Sequence, residues 1–156
     1  MKVDILAFGA HPDDVELGCG GTISKAIHTG KTAAIIDLTR GELGTRGSAS
    51  IRASEAVNAA DILGVKVREN LGLPDGFIFN NKENQLKIIE KIRQYQPEIV
   101  LCNSVADRHT DHGKSSTLVQ EACFLSGLRK INSNAADIKI QDPWRPKAVY
   151  NYIQWN

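Results

Sequence analysis

Two short segments hold the residues able to do chemistry: Ala10-His11-Pro12-Asp13-Asp14 near the start, and Asp107-Arg108-His109-Thr110-Asp111-His112 far downstream. An imidazole and a carboxylate three residues apart, joined by a distant imidazole, make a three-ligand nitrogen and oxygen set. Zinc in catalytic sites typically takes three such protein ligands and keeps one position for water. Each part also has a plainer reading. A His-Pro pair at a strand end is ordinarily a turn. An Asp there can cap a helix, accepting from its free N–H groups and favouring its positive end. Asp111 could likewise cap a helix beginning near Gly113. Caps do not call for histidines at two separate strand ends, however, and clustered histidine and acidic residues are the mark of a metal site.

The apolar pattern supplies the elements that would bring these segments together. Compact apolar runs at residues 3–9, 32–38, 65–71, 98–103 and 147–153 read as strands. Residues 16–28, 50–63, 83–95 and 113–126 read as helices. The second of these has Ala53, Ala56, Val57, Ala60 and Leu63 at helical spacing, and the third has Leu86, Ile89 and Ile92 on one face. Gly30, Gly64 and Pro97 supply stop signals. Strand and helix alternate throughout, which predicts an α/β fold: a Rossmann-like, mostly parallel sheet flanked by helices on both faces. Ligands in such folds bind beyond the carboxyl ends of the strands. The segments following the first, second and fourth strands would then share one rim. Residues 130–146 are polar and irregular and read as an excursion from a single domain spanning residues 1–156.

Residues 40–50 carry Gly41, Gly44 and Gly47 and lack periodicity, so they form a long loop of the kind that is often functional. Arg40, Arg46 and Arg52 in and beside it are suited to bidentate recognition of carboxylate or phosphate, or to ion pairs within a solvated loop. The Gly18-Cys19-Gly20-Gly21 stretch suggests a dinucleotide fingerprint, but position 23 is Ile, where GxGxxG needs glycine. Tight helix packing beneath the metal segment is the simpler role. Cys19, Cys102 and Cys123 form no CxxC pair, so they read as small buried hydrophobes.

A net charge of +1 argues against a surface spread with basic residues for nucleic acid. The apolar run at residues 5–10 is too short to span a bilayer and lacks the flanks of a signal peptide. A cytoplasmic protein with no membrane or nucleic-acid partner is expected.

These residues resemble the LmbE-like, or PIG-L, family of N-acetylglucosaminyl deacetylases. The resemblance rests on Ala10-His11-Pro12-Asp13-Asp14 and His109-Thr110-Asp111-His112. Similarity to bacillithiol-pathway deacetylases, which act on N-acetylglucosaminyl malate, extends to Thr39-Arg40-Gly41-Glu42-Leu43-Gly44-Thr45-Arg46-Gly47, to Asn70-Leu71-Gly72-Leu73-Pro74-Asp75-Gly76 and to Asp107-Arg108-His109. The resemblance implies one Zn²⁺ per chain at His11, Asp14 and His112, with Asp13 as general base. It implies that His109, paired with Asp111 and kept protonated by it, steadies the transition state. It implies Arg52 and Arg108 at the malate end of an amino-sugar substrate, and a homo-oligomer such as a hexamer. Members of the family continue past the fifth strand, so the chain is expected to lack a C-terminal portion of the domain. Two other readings compete: a phosphate-directed Mg²⁺ site, since paired carboxylates suit Mg²⁺, and a non-catalytic sugar- or nucleotide-binding module. The imidazoles favour zinc or another transition metal over Mg²⁺.

Overall fold

The structure is a computed structural model describing residues 1–132 and 142–154. Among the described residues nine elements alternate: β1 Ile5–Gly9, α1 Asp14–His28, β2 Ala33–Thr39, α2 Ala49–Leu63, β3 Val67–Leu73, α3 Lys82–Tyr95, β4 Ile99–Cys102, α4 Thr110–Leu125 and β5 Ala148–Asn151. The five strands form one sheet in the order β3-β2-β1-β4-β5, and every pairing is parallel. The expected α/β architecture is therefore present. Residues 133–141 of the expected excursion lie outside the described residues.

Parallel strands with both faces covered read as near-continuous apolar runs, as β1 does throughout and β2 does apart from Asp37 and Thr39. The period of two then divides their side chains between two cores. Leu6, Phe8, Ala34 and Ile36 pack with Ile88, Ile92, Leu118 and Val119 of α3 and α4. Ile5, Ala7, Ala33 and Ile35 pack with Val15, Cys19 and Ile23 of α1 and with Ala60 of α2. Full burial of each large side chain, such as Phe8 or Ile36, stabilises the fold by about 1.5–3 kcal/mol. All three cysteines are buried without disulfides, and burial pushes their thiols up to about 12. Gly18 packs its bare backbone against the Tyr152 ring, where a Cβ would collide, whereas Gly21 faces open space. Only part of the glycine stretch thus serves close packing.

Three boundaries differ from the sequence pattern in ways that matter for chemistry. Helix α1 begins at Asp14 instead of Glu16, and α4 begins at Thr110 instead of Gly113. Both shifts place metal-type residues in a first helical turn. Strand β3 begins at Val67, with the Val65 N–H bonded back to the Ala60 carbonyl, and runs on to Leu73. That extension delivers the next turn to the rim. No helix among the described residues is long and apolar enough to cross a membrane.

Candidate metal centre

The strand order reverses direction at β1, with β2 on one side and β4 on the other. Chain leaving β1 and β4 must diverge to opposite faces there, which opens a crevice at their carboxyl ends. His11 and Asp14 follow β1, and His112 follows β4 by way of the turn at Asp107. Asp75 arrives after β3 and Gln154 after β5. All of these residues line one cavity of about 670 Å³, along with Arg52 from beyond β2.

Asp14 is the hub. Its Oδ2 accepts from the His11 backbone N–H at 2.9 Å and from Asn103 Nδ2 at 3.0 Å. Its Oδ1 accepts from Gln154 Nε2 at 2.9 Å. The same carboxylate stands 3.6 Å from His11 Nδ1 and 3.3 Å from His112 Nε2. Burial favours its neutral form, but hydrogen bonds from His11 and His112 outweigh that and hold it far below the usual carboxylate range. His112 responds in kind: burial opposes its charge, yet Asp14 and Asp107 push it up to about 9. His11 is also raised, because Asp14 and Asp75 outweigh its burial.

The remaining ring nitrogens face carboxylates. His11 Nε2 lies 3.0 Å from Asp75 Oδ1 and 3.4 Å from Asp111 Oδ2. His112 Nδ1 lies 3.1 Å from Asp107 Oδ2, although neither atom is aligned for a hydrogen bond. Asp111 Oδ1 is buried and unpartnered as well. A buried polar atom without a partner carries a desolvation cost of about 1–3 kcal/mol, and here two carboxylate oxygens and one imidazole nitrogen of the cluster are in that position. Ligand atoms of His11, His109 and His112 come within 4.8 Å of one another, as do those of His11, Asp75 and Asp111. The donor set suits a transition-metal ion.

Asp13 sits beside this cluster with φ 153°, in the region that favours glycine. Such backbone costs on the order of 1–3 kcal/mol and persists only where surrounding contacts enforce it. Arg52 Nη2 provides them, lying 3.2 Å from Asp13 Oδ2 and donating to the Pro12 carbonyl at 3.1 Å. Gly41 and Gly44 make room for that guanidinium, since a Cβ on either would crowd it at 2.6 and 3.0 Å. Burial and the neighbouring Asp14 push the Asp13 carboxyl up, against Arg52 and His11.

Two expected contacts take another form. His109 does not receive the Asp111 carboxylate; its Nδ1 accepts the Asp111 backbone N–H at 3.2 Å, as the N-cap of α4. The Asp111 carboxylate turns instead to the Gly76 N–H at 2.7 Å and to His11. Burial, together with His11 and His112, lowers the His109 pKa, against the expectation that Asp111 keeps this ring protonated. Arg52 is committed to Asp13 and two backbone carbonyls, while Arg108 is exposed on the cavity lining. Asp107 and Asp75 lie in the quoted motifs but carry no role in the sequence pattern, which leaves out Asn103 and Gln154 altogether. Asp75 sits in a Pro-Asp-Gly run that reads as a turn, and Gln154 carries no local signal.

Residues 6–123 match the family described as PIG-L, GlcNAc-PI de-N-acetylase. A diacetylchitobiose deacetylase from Thermococcus kodakarensis is 33% identical over 138 residues, covering 82% of this chain and 52% of its own length. A conserved protein from Thermus thermophilus superposes with a TM-score of 0.87 at 40% identity, covering 97% of this chain and 66% of that one. The 4-carboxy-2-hydroxymuconate hydratase from Pseudomonas putida superposes at 0.74 with 26% identity, covering 92% of this chain and 63% of that one. The chain thus spans about half the length of the Thermococcus enzyme it matches. Because the family match runs from β1 through most of α4 and takes in both histidine-bearing segments, the chain belongs to the PIG-L family.

Proposed function

We propose that this chain carries the metal-binding core of a zinc-dependent deacetylase that hydrolyses the N-acetyl group of an N-acetylglucosaminyl conjugate. The convergence of His11 Nδ1, the Asp14 carboxylate and His112 Nε2 in the crevice of a PIG-L family member supports this reading. These three atoms are the proposed ligands. A Zn²⁺ ion held there would polarise the acetyl carbonyl and make water a nucleophile near neutral pH.

The surrounding residues have separable tasks. Asp13 takes the proton from the attacking water, and its upward pKa shift makes the carboxylate a better base. Arg52 keeps that carboxylate in place. His109 receives an N–H at Nδ1, so its neutral ring carries the proton on Nε2 and can donate to the oxyanion of the tetrahedral intermediate. Proton return from Asp13 then lets the amine leave. Arg108, exposed on the cavity lining, suits the carboxylates of N-acetylglucosaminyl malate, the substrate class of bacillithiol biosynthesis.

Acetate release by the zinc-loaded chain tests the reading, with N-acetylglucosaminyl malate and free N-acetylglucosamine compared side by side. Release from the malate conjugate in preference to the free sugar is expected; absence of acetate from any N-acetyl amino sugar would sink the deacetylase assignment. The similarity to a hydratase supports a second reading, in which the same base directs water onto a carbon–carbon double bond. Loss of conjugated-dienoate absorbance without acetate release would favour it.

A further inference from the structure

We infer that Asp75, from the turn after β3, is a positioning residue that fixes the tautomer of His11 and couples this metal ligand to the loop lining the substrate cavity. The inference rests on the proposed metal centre. An imidazole ligand presents one nitrogen to the ion only if its proton is held on the other, and an outer carboxylate is the usual means of holding it there. The Asp75 side chain is buried, and its Oδ1 lies 3.0 Å from His11 Nε2. Asp111 Oδ2 faces the same nitrogen at 3.4 Å. Two carboxylates around Nε2 demand a proton there, which leaves the Nδ1 lone pair directed to the side where Asp14 and His112 lie.

The second oxygen of Asp75 is equally committed. Oδ2 accepts from the Leu43 N–H at 2.8 Å, and the Asp75 backbone N–H donates to Glu42 Oε1 at 3.0 Å. Glu42 Oε2 in turn accepts from the Arg40 N–H at 3.2 Å. One carboxylate therefore bridges His11 to residues 40–43, and Leu43 and Gly44 line the cavity. An asparagine cannot reproduce this. It offers one acceptor where two are used, so its amide N–H must oppose either the Leu43 N–H or a protonated His11 Nε2. In the second case the imidazole proton moves to Nδ1 and blocks the metal.

The test uses the full chain with Zn²⁺ alone, without substrate. Two-bond ¹⁵N–¹H spectra of the zinc-loaded wild type should show His11 protonated at Nε2. Asp75→Asn should weaken zinc binding by about 10- to 100-fold in competition with a chelating dye, the usual scale for loss of such a partner. It should also shift the Leu43 amide resonance. A His11 proton on Nδ1 in the zinc-loaded wild type would place the ion among His11, Asp75 and Asp111, and overturn the inference. So would unaltered zinc affinity in a folded Asp75→Asn. The wild-type tautomer remains decisive if that variant does not fold. A wild type that binds no zinc would instead remove the metal centre itself.

Discussion

The side-chain amide of Gln154 donates to Asp14 Oδ1 at 2.9 Å and to the Asp14 carbonyl at 3.3 Å, tying the segment after β5 to the first turn of α1. Asn103 holds the other oxygen, and is itself held by the Ala10 N–H and the Ser115 hydroxyl. Gln154→Ala should weaken zinc binding by about tenfold, at the lower end for loss of an outer partner. Competition against a chelating dye measures it, and full retention of affinity would show that Asn103 alone suffices.

Asp13 is the residue whose loss should separate binding from turnover. Asp13→Asn removes the basic carboxylate while leaving the proposed ligands in place. Zinc content should persist while kcat falls by about 10²-fold or more, the scale of a positioned base. Elemental analysis paired with an acetate assay reads both, and unimpaired turnover would remove Asp13 from the mechanism.

Zinc binding should depend on pH through His112. In the metal-free chain Asp14 and Asp107 hold its proton up to about 9, and zinc must displace that proton. Affinity should rise with pH up to about 9, then level off. Stability of the metal-free chain should move the opposite way. A raised histidine pKa contributes fully below its unfolded value of about 6.5, and that contribution is lost as pH climbs through about 9. Melting temperature of the apo form should therefore fall across this window, while that of the zinc-loaded form changes less.

Behind the candidate metal centre, Arg68 of β3 binds Asp37 through two hydrogen bonds, at 2.8 and 3.0 Å, and pairs with Glu16 in the first turn of α1. It also donates to the Ala56 carbonyl of α2 at 3.1 Å. Burial pushes Asp37 up and Arg68 pulls it back. Arg68→Met strands the Asp37 charge and should cost about 3–5 kcal/mol, the scale for breaking a buried pair. Adding Asp37→Leu should restore part of the loss in urea denaturation.

Much of the fold was legible because both faces of the sheet are covered. Runs such as Ile5 to Phe8 then have no polar interruption, and the glycines and Pro97 punctuate them. His11, Asp14 and His112 were legible because histidines recur at two strand ends. Asp75 was not, since a single Asp before Gly is what any turn requires. Its meaning lies in the parallel β2–β3 pairing, which no local pattern encodes. The His109–Asp111 contact is likewise set by three-dimensional placement. Sequence spacing puts the two residues side by side, but with His109 capping α4 the backbone N–H of Asp111, not its carboxylate, reaches the ring.

The hold of Gln154 on Asp14 also bears on how the centre comes into being. Its partners are 140 positions apart, and the nearby bond from the Tyr152 hydroxyl to the Phe8 carbonyl spans 144. Contacts so distant in sequence close late, after local helices and neighbouring strands have formed. In refolding, high-affinity zinc capture should accordingly trail the recovery of helical signal, and a growing chain would acquire its full grip on the ion only after β5 has docked.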